Sequence, residues 1–221
     1  MGSIGKIIII QIMKRILLVV FTFLVLPYFV FGQVLTYDIA FRELKKKYDS
    51  IKSFRGTITI SIGNKTYSGP IQYLKPNMLR ISFQGLEIIS DSKSMWIYVK
   101  DNNVVIKQPI LKVKGGRNIF ASEFINPYDK YKAEYIVVLD KYTDKEYVFK
   151  MRNKPDVFST FTEAQLVCLN NGLISSLVGK TFSGQNVKIS IKYSSINPDI
   201  DTREFFFTPP ADAQVFVNLF D

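Results

Sequence analysis

There is no histidine in this 221-residue chain, and only one cysteine, Cys168. Histidine is the commonest general acid–base side chain and a frequent metal ligand, so its absence removes the usual catalytic triads and zinc sets. A single cysteine forbids an internal disulfide, and Cys168, set in an apolar strand pattern, has no activating partner. The carboxylates are scattered: Asp140 and Asp144 fall in a predicted turn, Asp199 and Asp201 in a predicted loop, where Asp commonly bonds backbone groups. These absences argue against an enzyme. Stability is left to packing.

Long apolar runs are confined to the beginning of the chain. Lys14 and Arg15 precede "ILLVVFTFLVLPYFVF" (16–31), and Val30-Phe31-Gly32 has the form of a peptidase site. The run is interrupted by Pro27 and is shorter than the ~20 apolar residues a spanning helix requires. This pattern predicts an export signal over 1–32, with Met13 as the start and cleavage after Gly32, followed by one soluble domain over 33–221. "IIII" at 7–10 leaves an uncleaved inner-membrane anchor as the alternative. No cysteine follows the predicted site, as a lipid-anchored product would need.

Acidic charge is also in short supply. The chain carries 29 Lys and Arg against 19 Asp and Glu, a net +10, and losing 1–32 removes Lys6, Lys14 and Arg15 but no acid. The remainder stays strongly basic. For an exported domain such a balance favours anionic lipid head groups or acidic partners and gives no reason to expect nucleic acid.

What is present is mostly period-two alternation. One amphipathic helix opens the domain, with Tyr37, Phe41, Leu44, Tyr48 and Ile51 on one stripe, Thr36 or Asp38 as its cap, and Arg42, Lys45, Lys46 and Lys47 on its other face. From Phe54 the period changes: Ile58, Ile60 and Ile62 alternate with Thr57, Thr59 and Ser61. The pattern returns in "MLRISF", "SMWIYV", "EYVFKM", "AQLVCL" and "NVKISIKY". "IGNKTY", "KDNN" (100–103), "DKYTDK" (140–145), "NNG" (170–172) and "SGQ" (183–185) mark the turns between strands. The middle stretch "KGGRNIFASEFINPYDKYKAEY" (114–135) breaks the alternation with a helical turn from Asn118 to Ile125, stopped by Pro127.

This spacing predicts a mainly β protein of about eleven short antiparallel strands, strongly bent or barrel-like, with helices covering its one apolar face. Periodicity does not separate a packed interior from a ligand cavity, and small barrels ordinarily fill theirs with side chains.

Several segments, taken in order, resemble the LolA family of periplasmic lipoprotein carriers. They are Ser53-Phe54 at the end of the first helix, Lys75-Pro76-Asn77 before "MLRISF", Ser90-Asp91-Ser92-Lys93 before Trp96-Ile97-Tyr98, and Phe205-Phe206-Phe207-Thr208-Pro209-Pro210 near the end. The resemblance implies an incomplete barrel under a helical lid whose interior shelters lipoprotein acyl chains. It also implies a monomeric periplasmic carrier with no cofactor, an inner-membrane releasing transporter as donor and an outer-membrane acceptor. A lipid- or lipoprotein-sensing module of the same fold is the alternative.

On strand parity and motif position, Ile58, Ile60, Leu79, Ile81, Phe83, Phe149, Phe205 and Phe207 are the predicted cavity wall. Trp96, the sole tryptophan, either joins them or fills a sheet face. By the same resemblance Lys75 is the lid contact, where the family usually has Arg. Lysine brings a point charge in place of a planar fork.

Overall fold

The alternating segments become strands of a single open sheet. The computed structural model describes residues 36–110, 127–157 and 159–217. The predicted export signal and the predicted helical turn Asn118–Ile125 lie outside the described residues. The domain opens with α1 (Tyr37–Ser50), followed by β1 (Ser53–Ile62), β2 (Lys65–Leu74), β3 (Met78–Phe83), β4 (Leu86–Asp91), β5 (Ser94–Val99) and β6 (Val104–Pro109). A short helix, α2 (Pro127–Glu134), leads into β7 (Tyr135–Tyr142), β8 (Glu146–Asn153), β9 (Glu163–Leu169), β10 (Ile174–Lys180) and β11 (Asn186–Ile196). The last described strand is β12 (Gln214–Val217).

The strand order is β12-β6-β5-β4-β3-β2-β1-β11-β10-β9-β8-β7. Two antiparallel meanders are thus joined where β1 pairs with β11, with Ile58 opposite Ile191 and Ile60 opposite Ile189. β12 and β7 stand at the two edges and do not pair, so the barrel is incomplete. The antiparallel expectation needs one correction. β12 runs parallel to β6, with Phe216 opposite Ile106. This strand has four residues, all exposed, so no alternation announced it.

α1 forms where its stripe repeats at helical spacing, and Ala40, Phe41, Leu44 and Tyr48 are its buried residues. Thr36 is its N-cap through the backbone alone: the Ala40 N–H donates to the Thr36 carbonyl at 3.0 Å, and no side chain caps the helix. Pro127 is the first residue of α2, a helix that the sequence pattern did not predict. Proline fits a first helical position because its fixed φ suits the helix and its missing N–H would be unpaired there anyway. Asp140, predicted in a turn, lies in β7 beside a register shift and pairs with Lys150 at 2.7 Å.

Candidate functional site: the covered face of the sheet

Cross-strand partners share a face, so register sorts every strand residue into one of two sets. One set runs from Ile60 through Ile189, Leu177 and Leu166 to Phe149. In the other direction it includes Ile71, Ile81, Ile88 and Ile97. Phe41 of α1 lies across this set, with ring centroids 5.4 Å from Phe149 and 4.9 Å from Tyr128 of α2. The face under the two helices is therefore the interior. Ile58, Ile60, Leu79, Ile81, Phe83 and Phe149 all lie on it, and all are buried.

Trp96, Phe205 and Phe207 do not join them. Trp96 pairs with Ile89, which pairs with Arg80, and these belong to the opposite face. Phe205 ends a 3-10 turn, Thr202–Phe205, and Phe207 lies in irregular chain, so strand parity does not apply to either. The turn is tied to the outer face by an Arg55–Glu204 ion pair at 2.9 Å and by Arg80 Nη1 donating to the Glu204 carbonyl at 2.9 Å. Phe205 is fully buried there, and Phe207 sits 5.7 Å from the rings of both Trp96 and Tyr98. The parity reading missed this because β4 buries adjacent residues, Ile88 and Ile89, one on each face. A strand covered on both sides carries no sign of which side is the interior. Nearby, burial works to raise the Glu87 carboxyl pKa, but a hydrogen bond from Lys100 and the Arg80 charge outweigh it and hold the group below its ordinary value.

Lys75 stands at the C-terminal end of α1. Its ammonium donates to the carbonyls of Asp49 at 2.6 Å and Tyr48 at 3.1 Å, and lies 5.4 Å from the centre of the Tyr48 ring. A cation placed on the last carbonyls of a helix satisfies orphan acceptors and complements the helix dipole. Burial lowers its pKa, Asp49 pulls it back up, and Lys45 pushes it down. In the same turn Lys75–Pro76 is cis, Asn77 has φ 61, and Ser90 and Ser92 donate to the carbonyls of Asn77 and Pro76. Lys45 adds a second tether, reaching Asp49 at 2.8 Å and Asp129 of α2 at 3.4 Å.

Sequence reasoning did not find the aromatic and thiol cluster between the helices and the sheet. Phe54 stacks on Tyr73 and meets Tyr193 edge-on, each at 5.1 Å. The Tyr128 hydroxyl donates to the Gly172 carbonyl, and the Tyr193 hydroxyl to the Ile174 carbonyl, each at 2.7 Å. Burial pushes the Cys168 thiol up to about 12, against a smaller opposing hydrogen bond from Tyr128. It also raises the Tyr128 and Tyr193 hydroxyls well above their ordinary value. "NPYDKYKAEY" carried the only available signal, three tyrosines at helical spacing. A cavity of about 360 Å³ opens beside the end of α1, between Lys47, Ser50, Ile51, Asn170, Asn171 and Ile196. Among the described residues no group of three or more Cys, Asp or Glu is placed to hold a metal ion. No helix among them is long and apolar enough to cross a membrane.

An incomplete antiparallel barrel with a helix-covered apolar interior defines the class of protein. No family model matches the chain, and no curated protein matches it. Solved structures do. An uncharacterized conserved protein from Thermus thermophilus is similar at 12% identity and TM-score 0.54, over 80% of this chain and 96% of that one. A LolA superfamily protein from Nitrosomonas europaea is similar at 12% identity and TM-score 0.42, over 79% and 99%. A MucA/MucB complex from Pseudomonas aeruginosa is similar at 11% identity and TM-score 0.45, over 80% of this chain and 62% of that one. The Thermus likeness speaks to the fold alone, and the two weaker ones add no weight to it.

Proposed function

We propose that this chain is a non-enzymatic periplasmic carrier that shelters lipoprotein acyl chains inside its barrel. It takes them from an inner-membrane releasing transporter and passes them to an outer-membrane acceptor. The observation that carries this reading is the interior itself: Ile58, Ile60, Leu79, Ile81, Phe83 and Phe149 are buried on one apolar face of the sheet, which Phe41 of α1 meets at Phe149. The ordered Lys75-Pro76-Asn77 and Trp96-Ile97-Tyr98 motifs support the same reading. Each CH₂ withdrawn from water gains ~0.8 kcal/mol, so acyl chains need a shelter to cross an aqueous space. Transfer also requires that the shelter open, and the contacts of Lys75, Lys45 and Lys47 near the end of α1 are the polar bonds such an opening would break.

The test is a photo-crosslinking residue at Leu79 in cells exporting the protein, together with release of lipoprotein from inner-membrane vesicles by the purified protein. Acylated proteins trapped at Leu79, and soluble lipoprotein accumulating only when the carrier is present, are the expected results. Failure to extract several lipoproteins in the presence of an active transporter would overturn the carrier reading. A stable complex with a signalling protein and no delivery would replace it with a sensing module.

A further inference from the structure

The two halves of the outer face differ. Over β3 to β5 it is covered by the Thr202–Phe205 turn and by Phe207. Over β7 to β11 it carries exposed, mostly basic side chains. We propose that this second half is a docking surface for a lipid bilayer bearing anionic head groups.

Register brings the residues together. Val138, Lys150, Gln165, Val178 and Lys188 form one cross-strand row, and Ile136, Arg152, Glu163 and Lys180 form the row beside it. Lys192 lies on the same face of β11, opposite Thr57, and Lys141 on the same face of β7, opposite Val148. The acids there are Asp140, engaged by Lys150 at 2.7 Å, Glu163, and Glu146 at the start of β8. Among the described residues no ion pair involves Arg152, Lys180, Lys188 or Lys192. Cations therefore outnumber acids, although Glu163 lies opposite both Arg152 and Lys180 and Asp140 engages Lys150, which leaves the face with a net positive charge.

Charge alone would suit any polyanion. The bilayer is favoured by what stands between the cations: Ile136, Val138 and Val178 are 51%, 56% and 40% exposed. Each lies directly opposite a cation, Ile136 by Arg152, Val138 by Lys150 and Val178 by Lys188. Lysine and arginine stems lie along apolar surface while their heads reach outward. A face of alternating aliphatic and cationic side chains thus meets both layers of a membrane interface, the head groups and the first methylenes beneath them. Five strands spaced about 4.8 Å apart spread this pattern over roughly 20 Å, the scale of several lipid head groups. Attraction to an anionic leaflet adds up over the cations near it and fades within a Debye length, about 8 Å at physiological salt.

The inference goes beyond the carrier reading. It concerns the face opposite the interior, and bilayer binding is measured with no cargo present, so either idea can fail without the other. The experiment is co-flotation of the protein, in the form that cells export and process, with phosphatidylcholine vesicles containing about one part in four phosphatidylglycerol, a composition chosen to give a moderate negative surface potential. Binding is expected on these vesicles, weak or absent on pure phosphatidylcholine, and lost as salt rises. The paired variant Lys180→Glu with Lys188→Glu should lower binding about tenfold or more. Lys46→Glu with Lys132→Glu makes the same charge change on the helices and should lower it much less. Melting midpoints check folding, and Lys180→Gln with Lys188→Gln gives a milder pair should charge reversal perturb the sheet. Equal loss in the helix variants, unchanged binding in both sheet variants, or equal binding to neutral vesicles would each overturn the proposal. Tighter binding to soluble polyglutamate than to the vesicles would also overturn it and assign the face to an acidic protein.

Discussion

The ammonium of Lys75 lies 2.6 Å from the backbone carbonyl of Asp49, joining the start of the β2–β3 turn to the end of the covering helix. Replacing Lys75 with Met keeps much of the stem and removes both hydrogen bonds. Because the group is partly exposed, the expected loss is about 1 kcal/mol, below the ~1.5–3 kcal/mol usual for bonds from a charged donor. Amide exchange within α1 should accelerate more than exchange in β1. Urea midpoints and hydrogen exchange measure the two effects, and uniform acceleration across the sheet would show that Lys75 does not act on the helix in particular. Lys75→Arg should leave cargo release unchanged if other contacts also hold the helix.

Phe205 is fully buried on the outer face, whereas Phe207 is only half-buried. Phe205→Ala should therefore cost about 3–5 kcal/mol and Phe207→Ala clearly less. Neither should alter affinity for a fluorescent fatty acid below the variant's melting range. A severalfold drop in affinity for Phe205→Ala would place that ring at the ligand.

Trp96 is the only tryptophan and packs on Phe207, with Lys107 4.5 Å from its ring centre. Its emission reports on the C-terminal segment. A ligand entering the interior should leave the emission maximum unchanged, while Phe207→Ala should shift it to the red by admitting water. A large shift on ligand binding with no loss of stability would contradict the register.

Alkaline pH should weaken the fold. Cys168 is held protonated up to about 12 against an ordinary 9.0, and Tyr128 and Tyr193 are displaced in the same direction, all chiefly by burial. Between the ordinary and folded values the unfolded chain binds fewer protons, so stability is fully present below pH 9 and falls as pH rises toward 12. Denaturant midpoints across that window should decline, less steeply for Cys168→Ala. At neutral pH a thiol reagent should modify Cys168 no faster than the protein opens, because the side chain is buried. Rapid modification of the folded protein would refute its burial.

Gly69 of β2 lies close against the backbone of β3. A Cβ there would lie 1.8 Å from the Ser82 carbonyl oxygen. Gly69→Ala must push the two strands apart, and a loss of at least about 2 kcal/mol is expected in thermal or urea unfolding. Gly63, where an added Cβ meets nothing within 4 Å, has φ +56 and should cost less, from backbone strain alone. Comparable losses at the two sites would mean that the strand contact does not matter.

Alternation along the chain determined most of the strands, though not β12, because successive side chains point to opposite sides whatever the tertiary context. Tyr37, Phe41, Leu44 and Tyr48 determined the helix in the same way, and the one-sided pattern of "TITISI" and "MLRISF" determined that something must cover the sheet. Tertiary structure decided what local periodicity does not encode. Register across distant strands put Leu79 and Phe149 on one face and Trp96 on the other. The path of the chain after β11 put Phe205 outside the barrel, and a contact spanning 26 residues set Lys75 against Asp49. Period two sorts residues into faces; only the packing of other segments makes one face the interior.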